Sequence, residues 1–116
     1  MKNILVIEDE VIINLEVEIT LKSMGYIVDS ALNGLEGIEK IKQKKTYDLI
    51  ILNNDMPQMT GEEFYTKVVA LNGDIAKRII FTSGLKTDFI RSTGNPFLLK
   101  PFSPEQLIEA VMNITA

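Results

Sequence analysis

The chain has 116 residues, 46% of them hydrophobic and 24% charged, which is enough to bury one core of ordinary composition. Its net charge of −4 argues against a nucleic-acid surface, because phosphate contacts need clustered Lys and Arg. The sequence has no Cys and no His, which excludes disulfides, thiolate metal sites and any histidine chemistry of its own. We therefore expect a single domain over residues 1–116.

The pattern of charge and hydropathy also bears on location. The one basic cluster consists of Lys40, Lys42, Lys44 and Lys45. We interpret it as a solvated helix end, where cations complement the helix dipole. The beginning of the chain does not match a signal peptide, and no apolar run is long enough to span a bilayer. A cytoplasmic protein without membrane contact is expected.

Five short apolar runs, rich in Ile, Val and Leu, predict buried β-strands. They are Ile4–Ile7, Tyr26–Ser30, Leu49–Leu52, Arg78–Thr82 and Pro96–Leu99. Their continuous apolar character is typical of parallel strands that are covered by helices on both faces. With right-handed crossovers, the strand order 2-1-3-4-5 is one of the two common solutions.

Helical spacing predicts a helix in each segment that follows a strand. The first runs from about residue 10 to residue 24, and the second begins after Asn33, a residue type that caps helices. The apolar stripes are Ile12, Leu15 and Ile19 in the first helix and, expected to face inward, Leu35, Ile38 and Ile41 in the second.

The later helices carry stronger start signals. Thr60 with Glu63 three residues on predicts a capping box for the third, which presents Phe64, Val68 and Leu71 on one face and stops at Asn72-Gly73. The fourth is expected to be short, over residues 87–93. The last begins at Ser103-Pro104-Glu105-Gln106, another capping box, with Leu107, Val111 and Ile114 at helical spacing.

Polar side chains follow four of the predicted strands. They are Glu8-Asp9-Glu10, Asn53-Asn54-Asp55, Thr82-Ser83-Gly84 and Lys100-Pro101. The carboxyl ends of parallel strands meet at one edge, at the switch point between strands 1 and 3. Glu8 and Asp9 are hard oxygen ligands of the kind that Mg²⁺ prefers. Thr82 and Lys100 can bind phosphoryl oxygens, so the set suits phosphoryl transfer.

Each of these residues also has an ordinary structural interpretation. Glu8 and Asp9 can stabilise the start of the first helix through its dipole. Thr82 can be a strand-end hydroxyl, Lys100 a solvated lysine, and the asparagines turn residues. Because all of them fall at strand ends of one predicted sheet, we favour the functional interpretation.

Several short motifs stand in a specific order and spacing. They are Ile4–Glu10, Asp48–Leu52 running to Met56-Pro57 and Gly61, Thr82, and Lys100-Pro101-Phe102. With them the chain resembles, over essentially its whole length, the receiver domain of two-component response regulators. Gly61–Tyr65 and Gly94–Phe102 are also similar to receivers of hybrid sensor histidine kinases. The resemblance implies a flavodoxin-like, doubly wound (βα)5 fold.

The resemblance implies a phosphorelay function and a metal site. In the family, a partner histidine kinase or a small acyl phosphate donates a phosphoryl group to an aspartate at the end of strand 3. Mg²⁺ is bound beside that aspartate. Glu8 and Asp9 match the acidic pair, and Asp55 matches the residue whose backbone carbonyl binds the metal.

The resemblance also implies a set of switch residues. Thr82 matches the switch hydroxyl, Lys100 the phosphate-binding lysine, and Phe97 the aromatic side chain that reorients on activation. The Lys100-Pro101 bond is expected to be cis, as is usual in the family.

The phosphoacceptor position, three residues before Met56, holds Asn53. A carboxamide is a poor nucleophile, so we expect a phosphorylation-deficient domain. Compared with an aspartate, Asn53 also removes one anionic ligand, although its carbonyl oxygen can still coordinate. Mg²⁺ binding is therefore expected to be weak. Asp55 lies beyond the strand end and is not expected to replace the acceptor. A natural pseudo-receiver and an engineered Asp→Asn form both remain open.

The implied partner is a histidine kinase or a histidine phosphotransfer domain, since this chain has no His. We expect no enzyme in the usual sense, no cofactor other than Mg²⁺, and leave a homodimer open. The alternative is a docking module that kept the fold and does not use phosphorylation. A nucleotide binder ranks lower because no Gly-rich loop follows strand 1. A hydrolase ranks lowest because no His, Cys or elbow serine is available.

Overall fold

The computed structural model of the protein describes residues 2–43 and 46–115. Lys44 and Lys45 of the basic cluster lie outside these ranges, whereas Lys40 and Lys42 lie in the last turn of a helix, as expected. None of the helices in the described ranges combines the length and the apolarity that crossing a bilayer requires.

Strands and helices alternate along the described residues. The strands are β1 (Asn3–Ile7), β2 (Ile27–Ala31), β3 (Leu49–Asn53), β4 (Ile79–Ser83) and β5 (Phe97–Leu99). The helices are α1 (Val11–Ser23), α2 (Gly34–Lys42), α3 (Gly61–Leu71), α4 (Gly73–Ala76), α5 (Asp88–Thr93) and α6 (Pro104–Thr115).

The five strands form one parallel sheet in the order β2-β1-β3-β4-β5, which confirms the predicted topology and the flavodoxin-like fold. Strand β1 pairs with β2 on one side and with β3 on the other, so the chain reverses its direction of winding at β1 and β3. The carboxyl ends of these two neighbouring strands therefore open onto the crevice where doubly wound folds place their ligands.

The core has two layers, one on each face of the sheet, because successive side chains of a strand point to opposite faces. Leu5, Ile7 and Phe81 belong to the layer shared with α2, α3 and α5. Ile4 and Val6 belong to the layer shared with α1 and α6. Burial on both faces explains why the strands of the sequence are apolar without alternation.

The helix caps follow the sequence closely. Asn33 caps α2 by accepting from the Glu36 backbone N–H at 2.8 Å. Thr60 and Glu63 form the predicted capping box of α3. At the start of α6, the Gln106 backbone N–H donates to Ser103 Oγ at 3.1 Å, and the Ser103 backbone N–H donates to Gln106 Oε1 at 2.8 Å.

The predicted stripe of α1 faces outward. Ile12 is 72% exposed, and Leu15 and Ile19 are also exposed. The buried residues of α1 are Asn14, Val17 and Leu21. This second stripe has the same spacing as the first and is displaced by two residues, so spacing alone did not determine which one faces the sheet.

Two further details of the helices differ from the prediction. Leu35 of α2 was expected to face inward, but it is exposed and lies at the margin of its stripe. The one-turn helix α4 was not predicted. Asn72 both ends α3 and caps α4, accepting from the Asp74 and Ile75 backbone N–H groups through its side chain.

Candidate functional site

The candidate site lies at the carboxyl edge of the sheet, at the point where β1 and β3 end. Glu8 and Asp9 follow β1, Asn53 is the last residue of β3, and Lys100 follows β5. Asn53 pairs in register with Thr82 of β4. The parallel sheet thus brings together residues that are far apart in the sequence.

Glu8 is the most deeply buried acid of the site, with 3% of the residue exposed. Its Oε1 accepts from Lys100 Nζ at 2.7 Å, and its Oε2 accepts from the Glu10 backbone N–H at 3.0 Å. Burial raises the pKa of Glu8 above its usual value, and the Lys100 ammonium partly offsets that shift. Lys100 is therefore a partner in a half-buried ion pair and not a solvated lysine.

Asn53 connects the two acids through its side-chain amide. Asn53 Nδ2 donates to Glu8 Oε2 at 3.0 Å and to Asp9 Oδ1 at 2.9 Å. Its Oδ1 accepts from the Asp55 backbone N–H at 3.0 Å. A carboxamide NH₂ group can donate two hydrogen bonds, and here both go to carboxylates. The opposite orientation would set the carbonyl oxygen against two carboxylates.

The oxygen atoms at this edge fit a hard cation such as Mg²⁺. The carboxylates of Glu8 and Asp9, the Asn53 carbonyl oxygen and the Asp55 backbone carbonyl would hold it. The Asn53 amide would have to rotate, because its Nδ2 now donates to both carboxylates. Within residues 2–43 and 46–115, however, no group of three acidic, His or Cys side chains converges on one point. These oxygen atoms therefore fit the ion, but few of them carry a negative charge.

Asp55 was not expected to replace the acceptor, and its side chain is bound elsewhere. Its carboxylate accepts from Ser83 Oγ at 2.9 and 3.0 Å and from the Gly84 backbone N–H at 3.3 Å. These contacts join the loop after β3 to the end of β4. The sequence analysis assigned no role to Ser83.

Two residues matched to the switch lie on the β4–β5 side of the site. Thr82 is buried, and its carbonyl accepts from the Asn54 backbone N–H at 2.9 Å. Phe97 is half-buried, and the Lys86 Nζ lies 5.9 Å from the centre of its ring. The Lys100-Pro101 peptide is cis, as expected.

Asn14 is the buried polar residue that sequence reasoning missed. It is 3% exposed, and its Nδ2 donates to the backbone carbonyls of Glu8 and Ala31, both at 3.0 Å. Its signal in the sequence is a lone amide between Ile13 and Leu15 in an otherwise apolar turn. Helical spacing gave that residue no role because only apolar positions were counted.

A groove of about 400 Å³ runs between α1 and α6 and reaches Lys100. Its apolar walls include Ile13, Val17, Phe102 and Leu107. The exposed Ile12, Leu15 and Ile19 lie on another face of the same helix.

A five-stranded parallel sheet with an acidic pair and a lysine at its switch point defines the receiver class of signalling domains. The chain belongs to this family: the model of the response regulator receiver domain matches residues 4–112. Receiver domains act in two-component phosphorelay signalling, bind Mg²⁺ in their phosphorylation site and interact with histidine kinases or phosphotransfer proteins. They are signalling modules rather than classical enzymes.

Individual relatives agree with this assignment. The chemotaxis protein CheY of Thermotoga maritima is 24% identical over 98% of this chain and 98% of its own length. Hybrid signal transduction histidine kinase D of Dictyostelium discoideum is 31% identical over 96% of this chain and 7% of its own length. The response regulator TrrA of Thermotoga maritima, solved with Mg²⁺-BeF, superposes with a TM-score of 0.86 at 30% identity, over 98% of this chain and 99% of TrrA.

Proposed function

We propose that residues 1–116 form a cytoplasmic receiver domain of a phosphorelay with Asn53 at its phosphoacceptor position, so that it does not take up a phosphoryl group. One observation carries the proposal. Asn53 ends β3 beside Glu8 and Asp9, and its side-chain amide donates one hydrogen bond to each of them. Position 53 therefore offers no carboxylate oxygen that could attack a phosphoryl donor.

The roles of the surrounding residues follow from their chemistry. An aspartate at position 53 would attack the phosphorus of a donor, and the bond from that phosphorus to the donor's histidine nitrogen or acyl oxygen would break as the new P–O bond forms. Mg²⁺, when bound, would screen the negative charges that meet there. Lys100 would leave Glu8 in part to pair with a phosphoryl oxygen, and the Thr82 hydroxyl would donate to another. With Asn53 the amide lone pair is delocalised and the oxygen uncharged, so no stable acyl phosphate forms.

The proposed partner is a protein that carries a phosphorylated histidine, either a histidine kinase or a histidine phosphotransfer domain. The chain has no His of its own, so the donor histidine has to come from another molecule or domain. The exposed stripe of α1 and the adjoining groove supply apolar area next to Lys100 that a partner helix could cover. Contact at that position would bring the donor to the site.

A second candidate is a docking module that works without phosphorylation. The observation in its favour is that the hydrogen bonds of Asn53 complete the site without any ligand. On this alternative the exposed stripe of α1 still binds the partner, but the site at the edge of the sheet is unused. The two candidates differ in what restoring an aspartate does.

The test is to treat the protein with a small acyl phosphate and to measure its intact mass, with and without Mg²⁺. The Asn53 protein is expected to stay unlabelled in both conditions. The Asn53→Asp variant is expected to gain one phosphoryl group only when Mg²⁺ is present. Asn54→Asp is the matched control, because it adds the same charge one residue further on and should stay unlabelled.

Two results would overturn parts of the proposal. An Asn53→Asp protein that takes up no phosphoryl group would mean that the site is a relic, and the docking module would replace the receiver. Labelling of the Asn53 protein itself would mean a different acceptor, with Asp55 tested first through Asp55→Asn.

A further inference from the structure

We propose that Asn14 is a positioning residue for the acidic pair, which it controls through the peptide that joins Glu8 to Asp9. Its side chain is buried in α1, and its Nδ2 donates to the carbonyls of Glu8 and Ala31 at 3.0 Å each. The inference rests on the proposed function, because it concerns the residues that would bind the ion.

The Glu8 carbonyl lies at the point where strand pairing between β1 and β2 ends. The last backbone bond there is Glu8 N–H to the Ala31 carbonyl, at 3.1 Å. Beyond it the chain leaves the sheet and enters α1. The Asn14 amide donates to the Glu8 carbonyl after β1 and to the Ala31 carbonyl at the end of β2. A side chain thus links the two strands one position beyond their last backbone bond.

Holding that carbonyl fixes more than one hydrogen bond. The peptide unit is planar, so the direction of the Glu8 carbonyl sets the direction of the Asp9 N–H and of the bond that leads to the Asp9 Cα. Asp9 Oδ1 in turn accepts a hydrogen bond from Asn53 Nδ2 at 2.9 Å. A rotation of the peptide would move the Asp9 carboxylate away from the point it shares with Glu8.

A purely structural role does not account well for the choice of this residue. Asn14 shares its helix face with Val17 and Leu21, which are buried and apolar, and Asn is a poorer helix former than Leu. A buried amide also has to be hydrogen-bonded to avoid a loss of stability. The Ala31 carbonyl already accepts from Glu8 N–H, so the group that depends on Asn14 is the Glu8 carbonyl.

Residues of this kind have a measurable effect at ion sites. Groups that hydrogen-bond to ligands, without touching the metal, typically change metal affinity by about 10–100-fold when they are removed. Asn14 acts on the backbone between the two acids, one step further back. We therefore expect a loss at the lower end of that range, about tenfold.

The experiment compares Asn14→Leu with Val17→Ala in the full chain that also carries Asn53→Asp. Asn14→Leu keeps a similar volume and removes the amide, whereas Val17→Ala disturbs the same face of α1 one turn further on. Mg²⁺ affinity is measured by amide NMR titration. We expect Asn14→Leu to weaken Mg²⁺ binding about tenfold, and Val17→Ala to leave it within about twofold even if both lower the melting temperature.

A second readout does not need the metal. In the protein with Asn53 unchanged, the side-chain amide protons of Asn53 report the bond to Asp9. Their NMR shifts should move and their hydrogen exchange should accelerate in Asn14→Leu but not in Val17→Ala. If Asn14→Leu does not fold, Asn14→Ser keeps a hydroxyl donor in a smaller side chain and enters the same comparison.

The outcomes separate this inference from the proposed function. Unchanged Mg²⁺ affinity and unchanged Asn53 amide resonances in the Asn14 variant would overturn the positioning role and leave a structural one. A chain with Asn53→Asp and an intact Asn14 that shows no response to Mg²⁺ would contradict the proposed function. In that case the Asn53 amide resonances still decide the role of Asn14.

Discussion

The two edges of the sheet are closed by different kinds of polar contact. At the amino edge, the Asn3 backbone N–H donates to Asp48 Oδ2 at 2.8 Å. Nearby, Tyr47, which lies two residues before β3, donates to Oδ2 of Asp29 in the middle of β2 at 2.7 Å. Each contact joins neutral donors to a carboxylate. At the carboxyl edge, two adjacent carboxylates converge and are matched by an ammonium and an amide.

The difference separates contacts that stabilise the fold from contacts that are kept for a site. A hydrogen bond from a neutral donor to a carboxylate contributes about 1.5–3 kcal/mol net and needs no bound metal ion. At the carboxyl edge, burial raises the pKa of Glu8, so its ionised form opposes folding. Lys100 and the Glu10 backbone N–H offset that cost, and the Asn53 amide donates to the same carboxylate.

The largest effect is expected from Lys100→Met, which removes the cation beside Glu8. A buried carboxylate left without its partner costs more than a broken surface pair, so unfolding free energy at pH 7 should fall by about 2–3 kcal/mol. The measurement is chemical denaturation at several pH values. A loss below about 0.5 kcal/mol, the value for an exposed pair, would mean that the ion pair does not hold this edge together.

The sign of the pH dependence follows from Glu8. The pKa of Glu8 is higher in the folded protein than in the unfolded chain, where it is ordinarily 4.5. The contribution of Glu8 to stability is therefore complete below the unfolded pKa and is lost as pH rises through the folded pKa. Removing Lys100 raises the pKa of Glu8 further. The loss caused by Lys100→Met should therefore be larger at pH 7 than at pH 5. Equal losses at both pH values would contradict this explanation.

A smaller effect is expected from Tyr47→Phe, which removes the phenol donor from the Asp29 carboxylate. The unfolding free energy at pH 7 should fall by about 1.5 kcal/mol, the lower end of the range for a bond to a charged acceptor. Burial, followed by the bond to Asp29, raises the pKa of Tyr47 above its usual 10.0. The folded protein keeps the phenol neutral while the unfolded chain ionises, so stability falls as pH rises above about 10. Denaturation between about pH 9 and pH 11 should show a flatter decline for Tyr47→Phe.

The smallest effect is expected from Asp48→Asn, the same exchange of carboxylate and carboxamide at the amino edge. Asn keeps an oxygen that can accept from the Asn3 backbone N–H, so stability should change by less than about 0.5 kcal/mol and should not respond to Mg²⁺. Denaturation with Mg²⁺ and with a chelator checks both statements. A Mg²⁺-dependent change would show that the ion acts elsewhere than at the carboxyl edge.

The sequence was sufficient for the topology and for which strand ends lie together. Continuous apolar runs predicted parallel strands, and in a parallel sheet the residues after β1, β3 and β5 have to meet at one edge. Caps were predicted correctly at Asn33, Thr60 and Ser103 because their side chains bond to backbone groups only three residues away.

What the sequence did not reveal depends on contacts between distant residues. Two stripes of α1 have equal spacing, and only packing against the sheet selects the one with Val17. Asn14 bonds to carbonyls 6 and 17 residues away, which no local pattern encodes. Likewise, Asn53 was expected to be an uncharged residue at the acceptor position, but its bonds to both acids depend on how β1 and β3 lie side by side.

The central claim is that the Asn53 amide holds the acidic pair together without a metal ion. The most direct test is denaturation of the Asn53 and Asn53→Asp proteins in a chelator and in Mg²⁺. Asn53→Asp should lower the unfolding free energy by about 1–2 kcal/mol in the chelator, because a third carboxylate replaces two donors. Mg²⁺ at about ten times its Kd should restore about 1.4 kcal/mol. The Asn53 protein should respond much less at the same concentration. Equal Mg²⁺ stabilisation of both proteins, or an Asn53→Asp protein as stable as its parent in the chelator, would contradict the claim.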